Sequence, residues 1–416
     1  MIRKLIRGLR ALLHLLARPV RATRGQGEVV LQPYRGYGTA EEVFLIGRAF
    51  RQPAGSSPEG LWGDLCDLGR RFLRRSIADA PLLARFCGAE QRLRTDRDGY
   101  FRVHLEPAER PPAGRCWHEM ELALADRPGV HASGEVFVAP PACRCVVISD
   151  IDDTIIETGV ANKAVMLWRL FMQGAEGRIA FPGVAALLRA LHAGASGGDT
   201  NPMLYVSRGP WGLYEVLDAF FNLHRIPIGP LLFLREWGMT FESPLPRRSK
   251  GHKLELIRNM LALYRELPFV LIGDSGQRDP EIYAQVVREH PGRVLAIYIR
   301  NVSREPERRR AIEDLAVEVV EAGSTLLLAS DSMAMARHAA EHGLVAPAAL
   351  ADVAGEKILQ DEREAGPTRE VEAPTADETE DAVRHGALAD ALEQGDAAPA
   401  NVEVEAGDRQ PARGKG

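Results

Sequence analysis

Residues 145–156 read CVVISDIDDTII, an apolar run that leads into a cluster of acidic residues. The apolar run Val146–Ile148 predicts a short buried strand, and the carboxylates Asp150, Asp152 and Asp153 follow it closely. Because carboxylates this close repel one another, burying them is costly unless a cation lies among them. The stretch therefore predicts a divalent metal ion with oxygen ligands at the carboxyl edge of a parallel sheet. Asp150 and Asp152 lie two residues apart, so an extended backbone points both side chains to the same side. One carboxylate can then act as a nucleophile while the other transfers a proton.

Downstream of this stretch, short apolar runs alternate with helical segments. This alternation predicts an α/β domain whose parallel sheet is covered on both faces. A terminal helix is predicted at Ser332–His342. The predicted strands are Val146–Ser149, Met203–Ser207, Leu231–Leu234, Phe269–Gly273, Leu295–Ile299 and Thr325–Ala329.

Upstream, turn-rich pieces punctuate a different set of short runs, which predict a small β-rich accessory domain. Leu61–Ala89 is the exception, because its pattern favours a helix. No motif in this part is typical of a catalytic or metal-binding site. The predicted strands are Glu28–Tyr34, Glu42–Ala49, Gly99–Leu105, Trp117–Ala125 and Gly134–Val138.

The length of 416 residues exceeds one ordinary domain, and an apolar fraction of 45% suffices for sizeable cores. We predict a basic amphipathic helix at residues 1–27, the β-rich domain at 28–140, the α/β domain at 141–350 and an acidic disordered tail at 351–416. The tail holds 17 acidic and seven basic residues with few aromatics, a composition typical of disorder. The five cysteines form no CxxC pair, which favours reduced thiols in a cytoplasmic compartment.

Residues 1–24 contain seven Lys or Arg and no acidic residue. Their spacing places Arg and His on one face of a helix and Ile and Leu on the other. Such a helix fits an anionic membrane surface, which would make the protein peripheral at a membrane. A helix docked on its own protein and an organelle presequence are the two alternatives.

Four polar groups follow one another along the α/β domain. They are Asp150–Thr154, Ser207, Lys253 at the start of an amphipathic helix, and the loop Gly273–Asp279. Each is weak evidence alone, since Ser207 can cap a helix and Asp153 can be a turn residue. The order of two carboxylates, Ser, Lys and a Gly-Asp loop is much more specific.

This order resembles the haloacid-dehalogenase-like phosphohydrolases, whose first motif reads DxDx[TV] and whose fourth reads GDxxxD or GDxxxxD. The residues in and around these motifs are similar to those of the actin-patch phosphatidate phosphatase family, which shares its first motif with the lipins. The resemblance covers roughly residues 130–345. It implies a doubly wound parallel sheet with a minimal cap, in which residues 141–350 are a phosphatase domain. The stretches that carry it are SDIDDTI (149–155), SRGPW (207–211) and GDSGQRDPEIY (273–283).

The resemblance also implies roles for individual residues. Asp150 would be the nucleophile that forms an aspartyl phosphate, and Asp152 would be the general acid and base. Ser207 and Lys253 would bind phosphoryl oxygens, and Lys253 would also restrain Asp150. Asp279 would orient Lys253 or complete the metal shell. Mg²⁺ would be held by Asp150, the Asp152 backbone carbonyl, Asp274 and Asp279, and the substrate would also contact Thr154, Arg208, Gly209 and Lys250.

The spacing of the motifs leaves no room for a sizeable cap domain between Ser207 and Lys253. An open site suits a phosphate on a bulky substrate. Together with the basic amphipathic start of the chain, this favours a phospholipid, and the expected reaction is the Mg²⁺-dependent conversion of phosphatidic acid to diacylglycerol and phosphate. No nucleic-acid partner is expected. The alternatives are another bulky phosphomonoester, such as a protein or a nucleic-acid end, and a non-catalytic lipid-binding protein.

Overall fold

A computed structural model describes residues 29–51, 75–156, 180–208, 211, 214–233, 251–365 and 402–403. The helix predicted at residues 1–27 lies outside these ranges, as do Gly209 and Lys250. Within them the chain forms two β-sheets, the first from residues 29–138 and the second from residue 146 onward.

The first sheet is mixed and contains nine strands within the described residues. Its main path runs β1-β3-β2-β9-β8-β5-β6, and β4 and β7 also pair with β3. Most pairs are antiparallel, whereas β2 and β9 are parallel. The strands are β1 (Val29–Pro33), β2 (Gly36–Gly38), β3 (Val43–Arg51), β4 (Arg75–Ser76), β5 (Pro81–Phe86), β6 (Ala89–Arg94), β7 (Tyr100–Leu105), β8 (Trp117–Leu124) and β9 (Arg127–Val138).

The predicted helix at Leu61–Ala89 is wrong where the structure describes it. Residues 81–86 form strand β5, which lies between β6 and β8. Leu82, Ala84 and Phe86 are buried at a spacing of two residues, which is the period of a strand with one buried face. Turns at Asp79 (φ 55°) and Gly88 (φ 77°) bracket this strand and exclude a continuous helix.

The second sheet contains six parallel strands in the order β12-β11-β10-β13-β14-β15. A two-residue strand, β16, pairs antiparallel with β15 at the edge. The six predicted strands lie within one residue of those observed, and Leu234 of the predicted Leu231–Leu234 falls outside the described residues. The strands are β10 (Val146–Asp150), β11 (Met203–Ser207), β12 (Leu231–Phe233), β13 (Phe269–Asp274), β14 (Val294–Arg300), β15 (Leu326–Ala329) and β16 (Val402–Glu403).

Helices cover both faces of this sheet, as the apolar runs predict. One apolar cluster contains residues of α1, α2, α6 and α7, and the other contains residues of α3, α4 and α5. Alternate strand residues face the two clusters, for example Val147 the first and Ile148 the second. The helices are α1 (Val184–Ala193), α2 (Tyr214–Leu223), α3 (His252–Leu263), α4 (Asp279–Glu289), α5 (Pro306–Glu321), α6 (Ser332–Glu341) and α7 (Ala349–Ala365). The predicted α/β fold preceded by a β-rich part is therefore confirmed.

The strand order reverses at β10, which is followed along the chain by β11 and β12 on one side and by β13 to β15 on the other. In open α/β sheets this reversal leaves a crevice at the carboxyl ends of the central strands. Asp150 ends β10 and Asp274 ends the adjoining strand β13, so both carboxylates lie at that crevice.

The disordered tail predicted from residue 351 is wrong over its first part, because α7 runs to Ala365. Residues 349–365 are rich in Ala and Glu, which are strong helix formers as well as common residues of disordered tails. Val353 is fully buried, and Glu356 and Lys357 pair with Arg189 of α1 and with Asp331, which caps α6. The remainder of the tail prediction concerns residues outside the described ranges, except for β16.

Among the described residues, no helix combines the length and the apolar character needed to cross a bilayer. The minimal cap stays a prediction. Residues 157–179 and 234–250, where most of it would lie, fall outside the described residues.

We expect Gly47→Ala to destabilise the first sheet. An added Cβ would clash with the ring of Phe101 and lie 2.7 Å from the backbone oxygen of Gln32. Overpacking of this kind costs about 1–3 kcal/mol, measurable as a lower free energy of unfolding in urea. The matched control is Gly129→Ala, where nothing lies within 4 Å of the added Cβ. Equal losses in the two variants would contradict the close packing at Gly47.

Candidate active site

Lys253 forms the central contact of the crevice. It is the second residue of α3 and is 3% exposed, and its Nζ donates to Asp150 Oδ1 at 2.8 Å and to Asp279 Oδ1 at 2.5 Å. Both carboxylates are fully buried. The structure therefore brings together three of the predicted site residues, from β10, α3 and α4, in one buried ion-pair network.

The electrostatics of this network leave an excess of negative charge. Burial alone would lower the pKa of Lys253, but the carboxylates of Asp150 and Asp279 outweigh it and raise that pKa well above its ordinary value. Burial raises the pKa of Asp150, and Lys253 opposes the rise while Asp279 and Asp152 add to it. Burial and then Asp279 raise the pKa of Asp274 to about 7, against the effect of Lys253. An additional cation would relieve this excess.

Asp150, Asp274 and Asp279 fit such a cation. Each can offer one carboxylate oxygen, and these three oxygens lie within 4.8 Å of one another. Asp274 Oδ1 accepts from the backbone N–H of Gln277 at 2.9 Å, while its Oδ2 is buried and has no hydrogen-bond partner among the described residues. Buried carboxylate oxygens without a donor are the ligands that hard divalent cations prefer. The cluster could therefore hold a metal ion.

The backbone carbonyl of Asp152 lies close to the carboxylate of Asp150. The side-chain amide of Gln277 donates both to Asp150 Oδ2, at 3.2 Å, and to the carbonyl oxygen of Asp152, at 3.1 Å. The Asp152 carbonyl oxygen and Asp150 Oδ2 therefore share one donor, the Gln277 amide. The Asp152 carboxylate is 7% exposed and is not part of the three-carboxylate cluster.

A tight turn follows Asp150. The N–H groups of Ile155 and Ile156 both donate to the carbonyl of Ile151, at 3.1 Å, and Asp153 has a φ of 59°. Asp tolerates this left-handed conformation better than most residues. The geometry of Asp153 is thus that of a turn residue, the alternative that the sequence left open.

Thr154, predicted to contact substrate, lies in the same turn. Its side chain is 1% exposed and its Oγ1 has no hydrogen-bond partner among the described residues. Its carbonyl oxygen accepts from Arg300 Nε at 3.0 Å. A buried hydroxyl without a partner here can donate to a bound anion.

Ser207 and Arg208 lie at the same edge. Ser207 ends β11 and is 2% exposed, and its neighbour Val206 pairs with Asp150 in the sheet. Arg208 follows it and is half-buried. Parallel pairing thus carries Ser207 to the carboxyl edge beside Asp150, as its position after an apolar run predicts.

The roles of three residues of the site are not predicted from the sequence. Gln277 lies within the fourth motif, whose pattern assigns it no role, but its amide contacts Asp150 and Asp152. Arg308 of α5 binds the carbonyls of Ser275 and Gln277, at 2.8 and 2.6 Å, and pairs with Glu281. Arg300 ends β14, adjoining Asp274, and donates to Ser332 Oγ as well as to Thr154. No sequence pattern near the arginines indicates these contacts, because their partners lie far away in the chain.

Gly273 is required for close packing in the fourth motif. A Cβ at this position would lie 2.7 Å from Cβ and 2.9 Å from Cγ of Asp279. The missing side chain allows Asp279 to reach Lys253, and the backbone N–H of Asp274 donates to Asp279 Oδ2 at 3.3 Å. The Gly-Asp pair therefore sets the position of a carboxylate six residues away.

Comparison with known proteins covers this part of the chain. Residues 145–301 match the family described as phosphatidate phosphatase APP1, catalytic domain. Phosphatidate phosphatase APP1 of Saccharomyces cerevisiae is 34% identical over 155 residues, which are 37% of this chain and 25% of the yeast protein. An uncharacterised protein of Schizosaccharomyces pombe is 30% identical over 160 residues, 38% of this chain and 25% of that protein.

The chain thus spans about a quarter of the length of the curated relatives it matches. Among solved structures, a carbohydrate acetylesterase from Xanthomonas citri covers 70% of this chain and 72% of its own, with 11% identity and a TM-score of 0.24. That score is too low to support an argument about fold or function. The sequence match instead coincides with β10 to β14 and with the buried cluster at Asp150. Residues 145–301 are thus similar, over the part of the chain that forms the candidate site, to the catalytic domain of APP1 phosphatidate phosphatases.

Proposed function

We propose that the protein is a Mg²⁺-dependent phosphatidate phosphatase that hydrolyses phosphatidic acid to diacylglycerol and phosphate. The observation that carries the proposal is the buried network of Lys253 with Asp150 and Asp279, next to Asp274 Oδ2, which has no hydrogen-bond partner in the described part of the chain. This arrangement lies within the segment that matches the family. Its chemistry is that of the haloacid-dehalogenase-like phosphohydrolases.

Asp150 acts as the nucleophile. Lys253 and Gln277 donate to its two carboxylate oxygens, at 2.8 and 3.2 Å, and so fix the plane of the carboxylate. One oxygen attacks phosphorus in line with the departing alkoxide, and an aspartyl phosphate forms. Asp152 donates the proton that the alkoxide takes up, and it then removes a proton from the water that hydrolyses the intermediate.

The other residues neutralise and orient the phosphoryl group. Mg²⁺, held by the carboxylates of Asp150 and Asp274 and the carbonyl of Asp152, would supply positive charge to the phosphoryl oxygens. Asp279 holds Lys253 in place, the first of its two predicted roles, and this is supported by the 2.5 Å contact. The remaining contacts to the phosphoryl oxygens are proposed for Ser207, Thr154, Arg208, Gly209 and Lys250.

We further propose that residues 141–350 form the phosphatase domain and 28–140 an accessory domain. Residues 1–24 would bring the domain to a phospholipid surface through their basic amphipathic pattern. The support is the charge distribution of the sequence, with seven basic and no acidic residues in that segment.

We expect Asp150→Asn to lower phosphate release by at least about 10³-fold, because the amide is a poor nucleophile. The measurement is phosphate release from phosphatidic acid in mixed micelles, with Mg²⁺ and with chelator. In the parent protein a hydroxylamine-sensitive acyl phosphate should accumulate on rapid acid quench, and Asp150→Asn should form none.

The matched control is Asp153→Asn, an isosteric change three residues away at a position that tolerates Asn with positive φ. It should retain activity within about threefold. Full turnover by Asp150→Asn would end the proposed mechanism. Turnover of soluble phosphomonoesters in preference to phosphatidic acid would instead move the proposal to another substrate.

Lys253→Met should lower the free energy of unfolding by about 3–5 kcal/mol, because it leaves two buried carboxylates without their counter-charge. Lys357→Met removes a partly exposed ion pair with Asp331 and should cost no more than about 1 kcal/mol. Both are measured by urea denaturation without added metal. Similar losses in the two variants would contradict the structural importance of the buried pair.

A further inference from the structure

The β-rich part of the chain contacts the α/β domain through an aromatic stack. Tyr34, which follows β1, stacks on Trp211 with ring centroids 4.6 Å apart and an interplanar angle of 14°. Tyr100 of β7 lies 6.3 Å from the same indole, and Phe233 of β12 lies 4.6 Å from it. Tyr34 and Trp211 are 5% and 6% exposed. The indole is thus held between the two sheets.

Polar contacts hold the adjacent helix in the same way. The backbone N–H of Arg35 donates to Tyr214 Oη at 3.0 Å, and its guanidinium pairs with Asp218. Gln32 Nε2 donates to Glu215 Oε1 at 3.0 Å. The three acceptors lie in the first two turns of α2, so the start of this helix is attached to β1 and the residues after it.

These contacts are made to residues that follow β11 in the chain. Ser207 is fixed on one side by its strand, and Trp211 comes four residues later. Trp211 packs against Phe233, which pairs with Ser207 in the sheet, so a displacement of the indole changes the packing beside Ser207. Positions of catalytic and binding groups must hold to a fraction of an ångström for full effect.

We infer that the first β-sheet positions Ser207 and Arg208 for phosphate binding, through the stack of Tyr34 on Trp211 and the hydrogen bonds to α2. Tyr34 is then a positioning residue that touches neither substrate nor metal. The inference rests on the proposed function in one respect, the binding of phosphate at Ser207 and Arg208.

The test uses the full chain with Tyr34→Leu, which keeps an apolar side chain of smaller volume and removes the flat ring. Binding of inorganic phosphate in the presence of Mg²⁺ is measured by calorimetry and, where there is turnover, as competitive inhibition. We expect phosphate affinity to fall about tenfold. Tyr34→Phe keeps the ring and should bind phosphate as the parent protein does. Trp211→Phe is the milder change to the same stack and should give a smaller loss in the same direction.

The matched control is Tyr37→Leu. Tyr37 lies three residues away and stacks on Phe44 at 5.6 Å, where it packs against the other apolar cluster of the α/β domain. Its loss should lower stability and leave phosphate affinity unchanged. Phosphate affinity within twofold of the parent in folded Tyr34→Leu and Trp211→Phe would overturn the inference. A parent protein that binds phosphate but hydrolyses no phosphomonoester would contradict the proposed function alone.

Discussion

The buried ion pair of Lys253 with Asp150 and Asp279 is the interaction on which the rest of the structure depends. Charges in a protein interior are costly unless geometry and hydrogen bonding offset their desolvation. Here one ammonium group serves two fully buried carboxylates, supplied by the ends of different elements. Helix α3, strand β10 and helix α4 must therefore meet at one point, and the reversal of strand order at β10 provides it. The apolar layers on both faces of the sheet hold these elements together.

A second level of organisation surrounds that centre. Arg308 holds the loop that carries Asp274 and Gln277, and Arg300 holds the turn after Asp150. Charged hydrogen bonds from arginine to backbone carbonyls are directional, so they fix loops that apolar packing alone would leave adjustable. The β-rich part makes the equivalent contacts around Trp211. The segments around Asp274, Asp150 and Trp211 are thus held by residues that do not themselves lie at the carboxyl edge of the sheet.

Whether a feature of the fold or the site can be predicted from the sequence depends on how far apart in the chain the interacting residues lie. The parallel strands were predicted because fully buried strands are continuous apolar runs, as in Val146–Ile148 and Phe269–Ile272. The positions of Asp150 and Asp274 follow from the sequence because a parallel sheet gathers the ends of its strands, whereas the role of Lys253 rests on the family resemblance. Strand β5 was misread because Leu82, Ala84 and Phe86 alternate within a stretch that also fits helical spacing. Helix α7 was misread because composition does not distinguish a docked helix from an acidic tail. The arginine contacts could not be predicted, since Arg308 and Ser275 are 33 residues apart with no local pattern to link them.

The sequence separation of the central pair has a consequence for folding kinetics. Asp150 and Lys253 are 103 residues apart, and β10 pairs with strands more than 50 and more than 100 residues further along the chain. Closing such loops lowers the conformational entropy of the chain before the contacts that offset this loss have formed. Sheets of this kind therefore form slowly. The carboxylates acquire their counter-charge only when β10, β13 and α3 have met. A chain that stalls before that step carries its acidic groups in water, and it cannot perform a reaction that requires them buried. The pairing of β10 with β13 and the docking of α3 are therefore also the steps that form the site.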